Sequence, residues 1–163
     1  MKRTLILLVA LVALFAIALP VSAITRGGVP DDGEHPNVGL MVALDADGNP
    51  MWRCSGALVS PTVFVTAGHC TFGATYGTIW FDEDVESGIP GNGYPFVGDV
   101  TGMAHTHPSY IDAAFWAYDV GVVVLDEPYG SAPYYELPEL DAIDAYMDDA
   151  GNGRKGAFVE AVG

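Results

Sequence analysis

The sequence predicts an all-β fold, a small antiparallel barrel or sandwich, from three observations. Six short runs rich in β-branched and aromatic residues follow one another along the chain, each is bounded by Gly, Pro, Asn or Asp, and almost nothing between them favours a helix. The runs are NVGLMVAL (residues 37–44), MWRCSGALV (51–59), TVFVTA (62–67), GTIWFD (77–82), FVGDVTGMA (96–104) and VGVVVLDE (120–127).

The connections have local causes. DADGNP (residues 45–50) joins the first two strands as a hairpin, because Asp, Gly and Asn tolerate the turn conformations that a tight reversal needs. Ser60 and Pro61 reverse the chain into the third strand, and ESGIPGNGYP (86–95) is expected as a surface loop. DADGN also resembles the start of a calcium loop, but Pro50 and Gly56 stand where such a loop needs Gly and Glu, so the hairpin reading holds. His105 and His107 could share one face of a strand, yet neither Cys nor another His lies near them, and no zinc site is expected there.

Composition and the N-terminus bound the function. Half of the 163 residues are apolar, which describes a globular chain of one domain despite a formal net charge of -15. Lys2 and Arg3 precede an apolar run over residues 5–19, and PVSA ends in the small residues Ser22 and Ala23. Residues 1–23 are therefore expected to be a signal peptide, since the run is shorter than the ~18 residues of a spanning helix. The mature protein is expected to be secreted, extracellular or periplasmic, with no membrane attachment after cleavage. Losing Lys2 and Arg3 takes the charge from -15 to -17. A field of that sign repels phosphate backbones and keeps copies apart, so neither nucleic acid nor self-association is expected and the chain should be a monomer. In an oxidising compartment Cys54 and Cys70, the only cysteines, are expected to pair.

His69 lies in VTAGHC, at the end of the third run, and Asp119 stands immediately before the apolar VGVVVL. A histidine acting as a general base needs a carboxylate to fix its tautomer, and a carboxylate at the mouth of a buried strand needs a partner. Read singly, each residue also has a plain structural role, as a turn histidine and a solvent-facing strand start.

CSGALVSPTVFVTAGHC (residues 54–70) resembles the histidine-site segment of the trypsin/chymotrypsin family of serine endopeptidases. HPSY (107–110) followed by YDVGVVVLDEP (118–128) is similar to that family's aspartate-site segment, and ITRGGVPDDGEHPNVGLMV from Ile24 is similar to its mature N-terminus. The resemblance implies a six-stranded antiparallel barrel corresponding to the first barrel of the trypsin-like double-β-barrel fold, with the second barrel missing after its first strand. It implies His69 as general base, Asp119 as its orienting partner, a Cys54–Cys70 disulfide beside them, Ile24 as a candidate mature N-terminus, protein or peptide substrates and no cofactor. On this reading the first barrel covers about residues 24–128, and residues 129–163 form the crossover and the start of the second barrel.

The chain departs from the family pattern at the nucleophile. No G-D-S-G-G segment occurs in the 163 residues, and none of the serines at 22, 55, 60, 87, 109 and 131 has that context. Ser131 is expected to be a loop residue of the crossover. The expectation is thus a secreted trypsin-like endopeptidase represented by its N-terminal portion and inactive in this form, the alternative being a noncatalytic secreted binding module on a half-protease fold.

Overall fold

The computed structural model describes residues 31–142 and Val162. The expected signal peptide (1–23), Ile24 and most of the segment expected to open a second barrel lie outside the described residues. Six strands form: β1 (Val38–Leu44), β2 (Pro50–Ser60), β3 (Val63–Thr66), β4 (Tyr76–Trp80), β5 (Val100–Thr106) and β6 (Gly121–Leu125). All neighbours are antiparallel, and the sheet closes in the order β1-β2-β3-β6-β5-β4. The barrel of the two architectures open to the sequence is the one realised. Among the described residues no helix is long and apolar enough to cross a membrane.

Alternation along the strands fills the interior. Met41, Ala43, Leu58, Phe64, Cys70, Ile79, Val100, Val123 and Leu125 form the core, with Phe64 opposite Val123 and Met41 opposite Ile79 in the ladders. Space for the Phe64 ring is made by Gly56, where a Cβ would sit 2.4 Å from it. β1 is buried on both faces, because Val42 and Leu44 join Trp80 in a second cluster outside the barrel under Val85 and Tyr94. Its nearly unbroken apolar sequence follows from that double burial.

The cover over Trp80 is the segment between β4 and β5, and here the sequence reading is corrected. The expected strand over residues 96–104 starts only at Val100 and continues to Thr106. Gly93, at φ +76°, turns the chain so that the amides of Phe96 and Val97 both donate to its carbonyl, at 2.9 and 3.0 Å. Phe96 and Val97 are consequently exposed turn residues despite their apolar character. The Trp80 indole N–H donates to the Asn92 carbonyl at 2.9 Å, and Asp99 accepts from the Phe81 amide at 2.8 Å to close the base of the excursion. The expected 86–95 loop is therefore part of a longer folded segment. The expected hairpin at residues 45–50 does form, with Asp45 and Asn49 bonded across it at 3.1 Å and Gly48 at φ +80°.

After β6 the crossover runs back along the barrel wall. The Tyr129 amide donates to Pro61 at 2.8 Å, and the buried Asn37 side-chain amide donates to the carbonyls of Ser131 at 3.1 Å and Pro133 at 2.9 Å. Ser131 is thereby an exposed loop residue held through its backbone.

Phe64→Ala should cost about 3–5 kcal/mol, since it empties the centre of a core that small residues have shaped around the ring. Urea unfolding should show a lower midpoint with an unchanged slope.

Candidate active site

His69 sits on a single helical turn, α1 (Gly68–Thr71), that follows β3 directly. Its N-cap residue, Ala67, has no polar side chain to cap the turn, so the turn depends on what surrounds it. A disulfide joins Cys70 to Cys54 on β2, with their Cα atoms 6.2 Å apart. The Trp52 indole N–H donates to the Cys70 carbonyl at 2.9 Å, and the Thr71 hydroxyl meets the Gly68 carbonyl at 3.1 Å and the Thr106 hydroxyl at 2.9 Å. These contacts hold the turn against β2 and β5. Its third contact is β6, where Gly121 leaves room for it: a Cβ there would lie 2.3 Å from Thr71 Oγ1.

Asp119 arrives from the β5–β6 connection. The His107 amide donates to the Val120 carbonyl at 2.9 Å, pinning the two ends of this loop together, and the His107 ring stacks on Tyr118 at 5.2 Å between centroids. Tyr118 takes a left-handed conformation at φ +56°, unusual for a side chain of its size, and this bend turns Asp119 toward α1. The carboxylate then grips His69 twice. One oxygen accepts from the His69 backbone N–H at 2.7 Å, and the other meets ring Nδ1 at 2.9 Å. Gly68 permits the approach, because a Cβ there would lie 2.9 Å from the Val120 amide nitrogen and 3.2 Å from the carboxylate itself.

The electrostatics follow from the contacts. The His69 backbone N–H, then the ring, hold Asp119 below its ordinary value of 3.8 against the opposing effect of burial. An ionised carboxylate only accepts, so Nδ1 is the donor of this contact, and in the neutral ring Nε2 is the nitrogen with the free lone pair. The His69 side chain is 54% exposed, against 28% for Asp119, so the imidazole reaches solvent from an inner carboxylate. Desolvation, Asp112 and Asp119 in turn push the buried Tyr110 hydroxyl above its usual value.

The other three histidines are arranged differently. Asp31 makes the same double contact with His35, accepting from its backbone N–H at 2.8 Å and from its Nδ1, but within one local turn. His107 is occupied by Tyr118 and accepts from the Ser109 amide at 3.1 Å, while His105 is exposed on β5. Among the described residues, Cys54, His69 and Cys70 form the one group with the spacing of metal ligands, but both sulfurs are committed to the disulfide.

A family model described as Trypsin matches residues 27–154, well over half of the chain. The chain belongs to the trypsin family. It is 38% identical over 110 residues to a trypsin of Saccharopolyspora erythraea, a match covering 66% of this chain and 44% of that protein. It is also 32% identical over 82 residues to a glutamyl endopeptidase of Bacillus licheniformis, covering 50% of this chain and 26% of the relative. The chain thus spans less than half the length of these curated relatives. Among solved structures, HL collagenase superposes with a TM-score of 0.52 at 16% identity, over 69% of this chain and 46% of the other, a likeness of fold. The trypsin family is one of serine proteases, and in this member the segments carrying His69 and Asp119 meet at one end of the barrel.

The sequence singled out His69, Asp119, Cys54 and Cys70, and the structure brings all four together. It did not single out Gly68, Gly121, Trp52 or Tyr118, which position them. The glycines had a signal in their placement, one immediately before His69 and one two residues after Asp119.

Gly121→Ala should push α1 off β6, lowering stability by about 1–3 kcal/mol and weakening the downfield proton resonance of a hydrogen-bonded Nδ1–H. Acid should dissolve the pair late. With Asp119 lowered in the folded state, its contribution is complete above the ordinary carboxylate value of 3.8 and disappears only as pH falls through the lower folded value. The Nδ1–H resonance should accordingly persist in a titration to below pH 3.8.

Proposed function

We propose that this protein is a secreted endopeptidase that hydrolyses peptide bonds with a His/Asp/Ser triad, in which His69 is the general base and then the general acid and Asp119 orients it. The observation that carries this reading is the double grip of Asp119 on His69, which fixes one tautomer and leaves an imidazole nitrogen facing solvent in a member of a protease family. The Nε2 lone pair would accept the proton of a serine hydroxyl as it attacks the scissile carbonyl. The neighbouring carboxylate stabilises the imidazolium formed, and the same proton then passes to the departing amine. Asp119 stays ionised throughout, in keeping with its lowered pKa.

The nucleophile and the backbone amides of an oxyanion hole complete such a site, and we assign them to sequence other than these 163 residues, which hold no G-D-S-G-G segment. The chain alone is then inactive, because a His–Asp pair with no nucleophile to activate has little to accelerate. Protein or peptide substrates follow from the family. Export is supported by the charged and apolar pattern of residues 1–23 and by the disulfide.

Reading the gene and its transcript past the codon for Gly163 tests this proposal, the expected result being an in-frame G-D-S-G-G segment. The product carrying it should hydrolyse a denatured protein substrate, and His69→Ala should lower kcat/KM by about 10⁴-fold or more with little change in KM. The 163-residue chain should show no hydrolysis. A His69→Ala product as active as its parent would overturn the assignment.

A further inference from the structure

We propose that opening the Cys54–Cys70 disulfide converts the surroundings of His69 into a binding site for a soft divalent cation such as Zn2+, with two thiolates and one imidazole as ligands. Both sulfurs and a ring nitrogen of His69 lie within 4.8 Å of one another. Two Cys and one His form a set that Zn2+ accepts as three protein ligands with a fourth position left for water. Thiolates select soft ions over Ca2+ and Mg2+.

The chemistry balances with a dithiol as reductant. Its two electrons and two protons convert the S–S bond into two thiols, and the dithiol becomes its own disulfide. Zn2+ then displaces two thiol protons to solvent. A tetrahedral site with Zn–S bonds of about 2.3 Å separates its sulfurs by about 3.8 Å. Side-chain rotation supplies that separation from Cα atoms 6.2 Å apart.

The ligands stay placed without the covalent bond. Cys54 is paired with Met41 in the β1–β2 ladder, the Cys70 carbonyl accepts from Trp52, and the Cys70 amide donates to Ala67 at 3.2 Å. Asp119 contributes from behind. By accepting from Nδ1 it leaves Nε2 as the ring nitrogen free to ligate and fixes the orientation of the ring, the support that metal-bound histidines receive from an outer carboxylate. A cation on Nε2 would occupy the nitrogen the general base needs. That last consequence rests on the catalytic reading of His69, whereas the binding itself does not.

The full chain, reduced with a phosphine and freed of it without oxygen, provides the test, with Co2+ as the probe. The reduced chain should develop thiolate-to-cobalt charge-transfer absorption that saturates at a single Co2+ per chain and is displaced by Zn2+, and the oxidised chain should not. His69→Ala should weaken binding at least about tenfold, and Asp119→Ala by about ten- to a hundredfold. Equal absorption in the two redox forms, a band unchanged by His69→Ala, or β-sheet circular dichroism lost on reduction and not restored by Co2+ would each overturn the proposal. None of these readouts involves peptide hydrolysis, so failure here is distinguishable from failure of the peptidase assignment.

Discussion

The register that sets Thr66 opposite Gly121 is the constraint on which the site depends. β3 ends at Thr66 and β6 begins at Gly121, so the chain leaves one strand and enters its neighbour at the same end of the barrel. α1 follows the first point and Asp119 precedes the second, which gives a contact between residues 50 apart in sequence. A slip of one residue in this pairing would send the side chains of β6 to the opposite face of the sheet and carry Asp119 away from His69. Gly121 also pairs with Thr106, so one small residue joins three strands and backs the helical turn.

Five aspartates among the described residues accept hydrogen bonds from loop amides. Arg53 is the single Lys or Arg among the described residues, and salt bridges to basic side chains are correspondingly scarce. Instead Asp45 accepts from the amides of Asp47 and Asn49, Asp84 from Ser87, Asp99 from Phe81 and Asp31 from His35. Each closes a turn or the base of an excursion, as a short side chain with two acceptor oxygens can. Asp119 makes the same kind of contact to the His69 amide and adds the ring. The carboxylate that holds His69 is thus a loop-closing aspartate with a second oxygen to spare.

The strands were legible where β-branched runs ended in turn residues, and so was the hairpin at residues 45–50. The fifth strand was misjudged at its start, because Phe96 and Val97 carry strand-like side chains while the backbone at Gly93 decides their conformation. α1 was not legible, since four residues cannot display a helical period and this turn is held by a disulfide, an indole and a threonine pair from distant segments. Cys54, Cys70, His69 and Asp119 were legible as residue types that need partners. The glycines were overlooked because their contribution is an absence of atoms, and only the packed barrel shows which atoms stand where a Cβ would go.

The separation of the two site segments along the chain also orders their assembly. Synthesis runs from the N-terminus, so the helical turn and both cysteines emerge well before Asp119 and β6. Until β6 docks between β3 and β5 the barrel has an open side, and His69 has no carboxylate behind it. Docking β6 closes the wall and supplies the carboxylate in one event. The histidine therefore acquires its fixed tautomer only in a chain whose barrel is already complete.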